Sequence, residues 1–168
     1  MKKLLFIAFI YASFLSSVNA AEAYIGASIG DSNISVNNDN KPVGYKLFLG
    51  THVNDNVGIE LGIINLGEFK TGNLTNKVTG TELSAVGFIP VGADGDVFAK
   101  LGLFVWNIDS TLGSLSGTSD GTDITIGFGF QYPIKDNILI RLEYQEFRDI
   151  DDTNDNFTFL SVGLALQF

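Results

Sequence analysis

The chain has 168 residues, with 19 acidic against 10 basic ones, no cysteine and a formal net charge of −9. The length suits one domain, the acidity argues against nucleic acid or anionic lipid gripped by a basic patch, and the missing cysteine excludes a disulfide framework. Hydrophobic residues still make up 45%, with 19 Gly, 14 Phe and only 3 Pro, which is an apolar balance for so acidic a chain.

The first element is not part of the domain. Lys2 and Lys3 precede the apolar run Leu4 to Leu15, and Val18-Asn19-Ala20 forms a small-residue cleavage pattern. This predicts a secretory signal peptide over residues 1–20, removed after Ala20, and leaves 21–168 as one domain. The alternative, a permanent anchor, lacks length and a basic stop-transfer flank. The remaining chain carries eight basic against 19 acidic residues, about −11 net, and no apolar run near the ~20 residues of a membrane helix. Such a chain can still enter a bilayer as a closed barrel, because closure pairs every backbone group between strands.

From Ala23 onward apolar residues alternate with small or polar ones in segments of about ten residues, the period of a strand. Ile25, Ala27 and Ile29 face one way in Ala23 to Gly30, against Gly26, Ser28 and Gly30. In Val43 to Val53, Tyr45, Leu47, Leu49, Thr51 and Val53 oppose Gly44, Lys46, Phe48, Gly50 and His52. Val57 to Leu66 sets Val57, Ile59, Leu61 and Ile63 against Gly58, Glu60 and Gly62. Thr81 to Ile89 leaves two faces open: Leu83, Ala85 and Gly87, or Ser84, Val86 and Phe88. In the fifth segment Val97, Ala99, Leu101, Leu103 and Val105 oppose Phe98, Lys100, Gly102 and Phe104. The sixth sets Ile124, Ile126, Phe128, Phe130 and Tyr132 against Asp123, Thr125, Gly127, Gly129 and Gln131. In the seventh, Ile138, Ile140, Leu142 and Tyr144 oppose Arg141, Glu143 and Gln145. The eighth sets Leu160, Val162, Leu164, Leu166 and Phe168 against Ser161, Gly163, Ala165 and Gln167.

The connections alternate in length. Residues 31–42, 67–80, 107–122 and 147–157 are long and rich in Asn, Asp, Ser, Thr and Gly, and are expected to be loops. Asn54 to Asn56, Pro90 to Asp96 and Pro133 to Asn137 are short turns. Long loops on one rim and short turns on the other give an all-β fold: an eight-stranded antiparallel up-and-down transmembrane β-barrel, long loops outside the cell. A soluble ligand barrel would reverse the faces, with apolar residues inside. The face opposite the apolar one carries Lys46, Glu60, Lys100, Arg141 and Glu143. Single charges of both signs on different strands, beside abundant Gly, suit a small polar interior better than a solvated surface.

Glu60 and Glu143 could form a catalytic acid/base pair, but a salt-bridged plug is favoured, since an eight-stranded barrel is about filled by its side chains. His52, the one histidine, falls beside a short turn, away from the outer leaflet where a lipid A-modifying enzyme needs its site. Asp149 to Asn156 resembles a calcium loop, yet Asn154 stands at position six and Leu160 at twelve, so no EF-hand is expected. A loose divalent-cation site bridging to lipopolysaccharide phosphates is the other use of that loop, with a solvated acidic loop as the default. Asn73-Leu74-Thr75 and Asn156-Phe157-Thr158 match a glycosylation pattern without meaning in a bacterial protein. Tyr132, Tyr144 and Phe168, with Tyr45 and Phe88, are expected in interfacial girdles. Trp106 has inner parity and no assigned role.

Leu101-Gly102-Leu103-Phe104-Val105-Trp106-Asn107-Ile108-Asp109 resembles the fifth strand of the outer membrane protein A (OmpA-like) barrel family. Gln131-Tyr132-Pro133-Ile134 followed by Arg141-Leu142-Glu143-Tyr144-Gln145 resembles its sixth turn and seventh strand. The ending Leu164-Ala165-Leu166-Gln167-Phe168 is similar to the signal read by the barrel-assembly machinery, with Phe168 as its terminal residue. The resemblance covers residues 21–168 apart from the loops. It implies an interior network of acidic and basic side chains, onto which Glu60, Lys100, Arg141 and Glu143 map. Gln131 stands where the family often has an acid, and Ala85 where its fourth strand often has a Lys. Both departures thin the network and any gated ion pathway. No peptidoglycan-binding domain is expected after the barrel. The expected protein is a monomeric, non-enzymatic outer-membrane barrel without cofactor or metal, exported to the cell outer membrane. Its expected role is in membrane integrity and adhesion through acidic loops. Outer-membrane lipids, lipopolysaccharide, the assembly machinery and a host-surface ligand are its expected partners, with nucleic acid excluded. A lipid A-modifying enzyme and a narrow ion channel are the rival functions.

Overall fold

A computed structural model describes residues 23–34, 41–148 and 156–168. The leader expected over residues 1–20 lies outside them, as does the acidic stretch 149–155. Eight strands follow in order: β1 Ala23–Ile34, β2 Val43–Asn54, β3 Val57–Thr71, β4 Leu74–Val91, β5 Gly95–Leu112, β6 Leu115–Lys135, β7 Ile138–Phe147 and β8 Phe157–Gln167. Each pairs antiparallel with the next, and β1 pairs with β8 to close a barrel.

The register fixes its shape. From Ser28, pairing runs through Lys46, Ile64, Gly80 and Trp106 to Gly121 on β6. Taken the other way it runs through Gly163 and Arg141 to Gln131, ten residues further along the same strand. With about 3.3 Å per residue and about 4.8 Å between strands, this stagger tilts the strands by roughly 40°, as barrel closure requires.

The faces are those of a membrane barrel. Ile25, Leu47, Ile63, Leu101, Phe128, Leu142 and Leu164 are among the large apolar side chains exposed on the outside, whereas Lys46, Glu60, Lys100, Arg141 and Glu143 are buried within. A soluble barrel has the reverse. The outward apolar runs stop toward one rim at Asn65, Thr79, Asn107, Thr122, Glu146 and Thr158, and Tyr45 and Tyr144 lie near that edge. Tyr132 and Phe168 lie outside at the opposite edge, 44% and 74% exposed. Two aromatic belts bounding an apolar band are what a bilayer selects.

Three expectations change. The open choice on β4 is settled by Glu82, Ser84, Val86 and Phe88 pointing in, with Leu83 and Ala85 out. Phe88 is therefore 2% exposed and packs inside the barrel, so it is no girdle residue. Ala85 faces the membrane and is no network position. The stretches 67–80 and 107–122 are also mostly strand: β3 and β4 turn at Gly72-Asn73, β5 and β6 at Gly113-Ser114. Their polar composition hid the pairing, because above a bilayer both faces of a ribbon can be wet. Gly72 (φ 60°) and Gly113 (φ 61°) supply the left-handed backbone those two-residue turns need.

Candidate functional site

The interior is stacked in three layers. At the short-turn end Tyr24, Phe48, Val86, Phe88, Phe98, Leu139 and Ala165 form an apolar layer. At the other end a second contains Ile64, Leu66, Phe104, Trp106, Phe147 and Phe159. Alternation along β2, β3, β4, β5 and β7 delivers one or two charged groups each to the level between.

There Lys46 Nζ lies 3.1 Å from Glu60 and 3.0 Å from Glu143. Lys100 Nζ lies 2.6 Å from Glu143, 2.9 Å from Glu82 and 3.4 Å from Glu60. Arg141 donates from Nη1 to Glu60 Oε2 at 2.6 Å, and its Nε is 3.3 Å from Glu143 Oε2. Among the described residues its Nη2 has no hydrogen-bond acceptor. The guanidinium instead lies over the Phe98 ring at 4.0 Å and the Phe48 ring at 4.8 Å, where a cation is attracted to the ring face. Tyr24 donates its hydroxyl hydrogen to Glu60 Oε2 at 3.2 Å, tying the lower apolar layer to the charges. Ser84 donates to Glu82.

All five interior residues singled out in the sequence meet in this cluster, and one was missed. Lys46, Lys100 and Arg141 against Glu60 and Glu143 leave one positive charge uncompensated. Glu82, 1% exposed, restores neutrality. An unpaired charge in a dry interior is expensive, and Glu82 is the one acid on β4. Charge balance was thus the signal that could have fixed this strand's faces. Gln131 also points inward, opposite Arg141 in register, and donates to Asp96 at 3.2 Å. Trp106 gains a role: its indole N–H donates to Asp123, pinning β5 to β6 in the upper layer.

This arrangement is suited to holding a barrel closed. Glu60 and Glu143 are each ion-paired to cations and lie between two apolar layers, the arrangement of a salt-bridged plug. His52 sits at the lower end between the Tyr24 and Phe88 rings, at 5.5 Å and 4.7 Å. No described group of three or more His, Cys, Asp or Glu side chains could hold a metal. Phe168 is exposed on the outer face, and its backbone N–H donates to Ala23 O at 2.9 Å.

The OmpA-like transmembrane domain model matches residues 18–168. The chain belongs to that family. Outer membrane protein A of Salmonella typhi is 33% identical over 167 residues, covering 86% of this chain and 48% of that protein. The chain thus spans about half the length of the curated relatives it matches. Neisserial surface protein A has the same fold, with a TM-score of 0.74 and 18% identity over 89% of this chain and all of that one. So does Ail, the attachment invasion locus protein of Yersinia pestis, with a TM-score of 0.66, 15% identity and the same coverage. This OmpA-like chain is an outer-membrane barrel.

Above the apolar band the molecule changes character. Strands β3 to β6 continue together past the ends of their neighbours, so Thr71, Leu74, Leu112 and Leu115 stand in register at the crest of a four-stranded sheet. The lower part of its concave side packs over the barrel mouth, where the Phe69 and Phe157 rings meet edge to face at 5.3 Å. The outward face is polar: Glu68, Lys77, Asp109 and Thr118 form one cross-strand row, and Thr118 donates to Asp109 at 3.1 Å.

Proposed function

We propose that the chain is a monomeric structural protein of the outer membrane whose specific activity is adhesion through its protruding sheet. The observation that carries this is the contrast between a filled, ion-paired interior and a long, solvent-exposed sheet above it. A plugged barrel provides an anchor in the lipid and offers little path for solutes. Polar ribbons held clear of the lipid offer a surface to other molecules. Residues 1–20 serve as the cleaved export signal, and Phe168 with the alternating apolar residues before it serves as the mark for the barrel-assembly machinery. Lipid chains and lipopolysaccharide surround the apolar band, and the acidity of the outer ribbons suits a host-surface ligand of positive charge.

Bacteria expressing the intact chain are compared with bacteria expressing one in which residues 68–75 and 109–118 are replaced by short turns. The shortened chain should still change mobility on boiling, which marks a closed barrel, and should keep outer-membrane resistance to detergent. Adhesion to host cells should fall to the level of bacteria lacking the protein. Undiminished adhesion would remove the surface reading.

A further inference from the structure

The protruding sheet has two lateral edges, and they are built differently. On the β3 side the pairing with β2 ends at Asn65, where a bulge follows. Gly67 (φ 89°) turns the backbone there, and a Cβ on it would come within 2.7 Å of Pro42, so the entry to β2 crowds the base of this edge. What remains exposes Glu68 and Lys70, 3.8 Å apart. A bulge, a covering segment and edge charges are the devices that keep edge strands from pairing with other chains.

The β6 side has no bulge, no covering segment among the described residues, and only acidic edge charges. Its last links to β7 are Thr125 opposite Phe147 and the bond from Arg148 N–H to Ile124 O. From Leu115 to Asp123 no described residue pairs with this edge. Over that stretch β6 pairs with β5 without a bulge and has no Pro, Lys or Arg. Because Ile124 O points to the β7 side, alternation aims the N–H and C=O groups of Ser116, Thr118, Asp120 and Thr122 at the same open side. Among the described residues nothing meets this row of donors and acceptors, which an incoming strand could pair with.

The flanking side chains define what would pair there. On the concave face Leu112 and Leu115 are 52% and 71% exposed, and they continue the in-register row that begins at Leu74. Asp120 lies on the opposite face, and the whole stretch 101–134 holds Asp109, Asp120 and Asp123 with no basic residue. A second copy of this chain would bring its own Asp120 to the same edge, which disfavours self-pairing.

We infer that the free edge of β6, Leu115 to Asp123, is a strand-addition site for an extended segment of another protein with alternating apolar and basic side chains. The apolar side chains lie beside Leu112 and Leu115, and the basic ones beside Asp120. The inference rests on the surface reading above and names the partner class and the binding edge.

The test uses the full chain in phosphatidylcholine nanodiscs and a fluorescent, end-capped peptide of about nine residues alternating Val and Lys. Saturable binding is expected. N-methylation of alternate peptide amides, which keeps charge and removes donors, should weaken it by at least about tenfold. Thr118→Pro should do the same, because proline is tolerated at an open edge but removes a donor there. The boiling shift verifies that this variant is closed. Equal binding of the methylated peptide would overturn the inference in favour of charge attraction alone, and so would no binding to a verified barrel. Either result leaves intact the adhesion lost on shortening the ribbons, so the two readings fail separately.

Discussion

Strands β3 to β6 pass through two environments and obey different rules in each. Within the apolar band every strand has a partner on both sides, the outward face is apolar and the inward face is filled. Above it, among the described residues, β3 and β6 become edges, and the outward face turns to Glu, Lys, Asp and Thr. The change follows the solvent. Hydrocarbon cannot satisfy an unpaired N–H or C=O group, so closure is compulsory there. Water can, so above the rim an open edge costs little and becomes available for recognition. The comparison predicts that substitutions of similar chemistry should cost much below the rim and little above it.

The largest effect is expected in the charge cluster. Glu82→Gln keeps the shape and an acceptor for Ser84, but leaves Lys46, Lys100 and Arg141 against two acids. Breaking a buried network in this way typically costs about 3–5 kcal/mol. Urea unfolding in lipid vesicles should show a loss of this order. Adding Lys100→Met to the same chain removes the excess charge and should recover a large part of it. An undiminished midpoint in the single variant would mean that the six groups do not act as one neutral unit.

Ala85→Lys separates the two faces of β4. An inward Ala85 would let a new lysine join the network. Outward, near the middle of the apolar band, it places a cation in hydrocarbon, at about 2–4 kcal/mol. The same unfolding measurement should therefore show destabilisation.

This strand also shows where the sequence was legible and where it was not. Seven strands announced their faces because large apolar residues alternate with Gly, Ser or charge. In β4, Leu83-Ser84-Ala85-Val86-Gly87-Phe88 puts apolar residues on both faces. The choice depends on Glu82, which lies inside the ambiguous stretch but was placed on neither face, and on charges supplied by four other strands. The five cluster residues could be named from parity alone, but their distances could not, since Lys46 and Glu143 are 97 positions apart and meet across the lumen. The outer ribbons were missed for the opposite reason. Residues 107–122 lose the apolar alternation because neither face meets lipid, yet they pair through β5 and β6 up to Leu112 and Leu115.

Trp106 stands at the boundary and should show an intermediate effect. Trp106→Phe keeps an aromatic ring in the upper layer but leaves the Asp123 carboxylate without its indole donor. A lost hydrogen bond to a charged group costs about 1.5–3 kcal/mol. Solvent reaches Asp123 in part, so the loss should fall at the low end. Asp123→Asn in the same background should then cost little more, because the two residues share one interaction.

The smallest effect on the fold is expected at the crest. Leu115→Ser removes a side chain that is 71% exposed and opposes Leu112 in the last register pair before the turn. No closure, buried charge or lipid contact depends on it, so unfolding should shift by no more than about 0.5 kcal/mol. Serine nevertheless removes apolar surface beside the open β6 edge. If that edge takes up an extended partner, the valine–lysine peptide should bind Leu115→Ser more weakly while the barrel stays as stable as before. A crest leucine held only by its own sheet would show the reverse, with stability reduced and binding unchanged. The residue that matters least to the anchor should then matter to what the anchor presents, because above the rim apolar area is left uncovered by the fold and is free to be covered by something else.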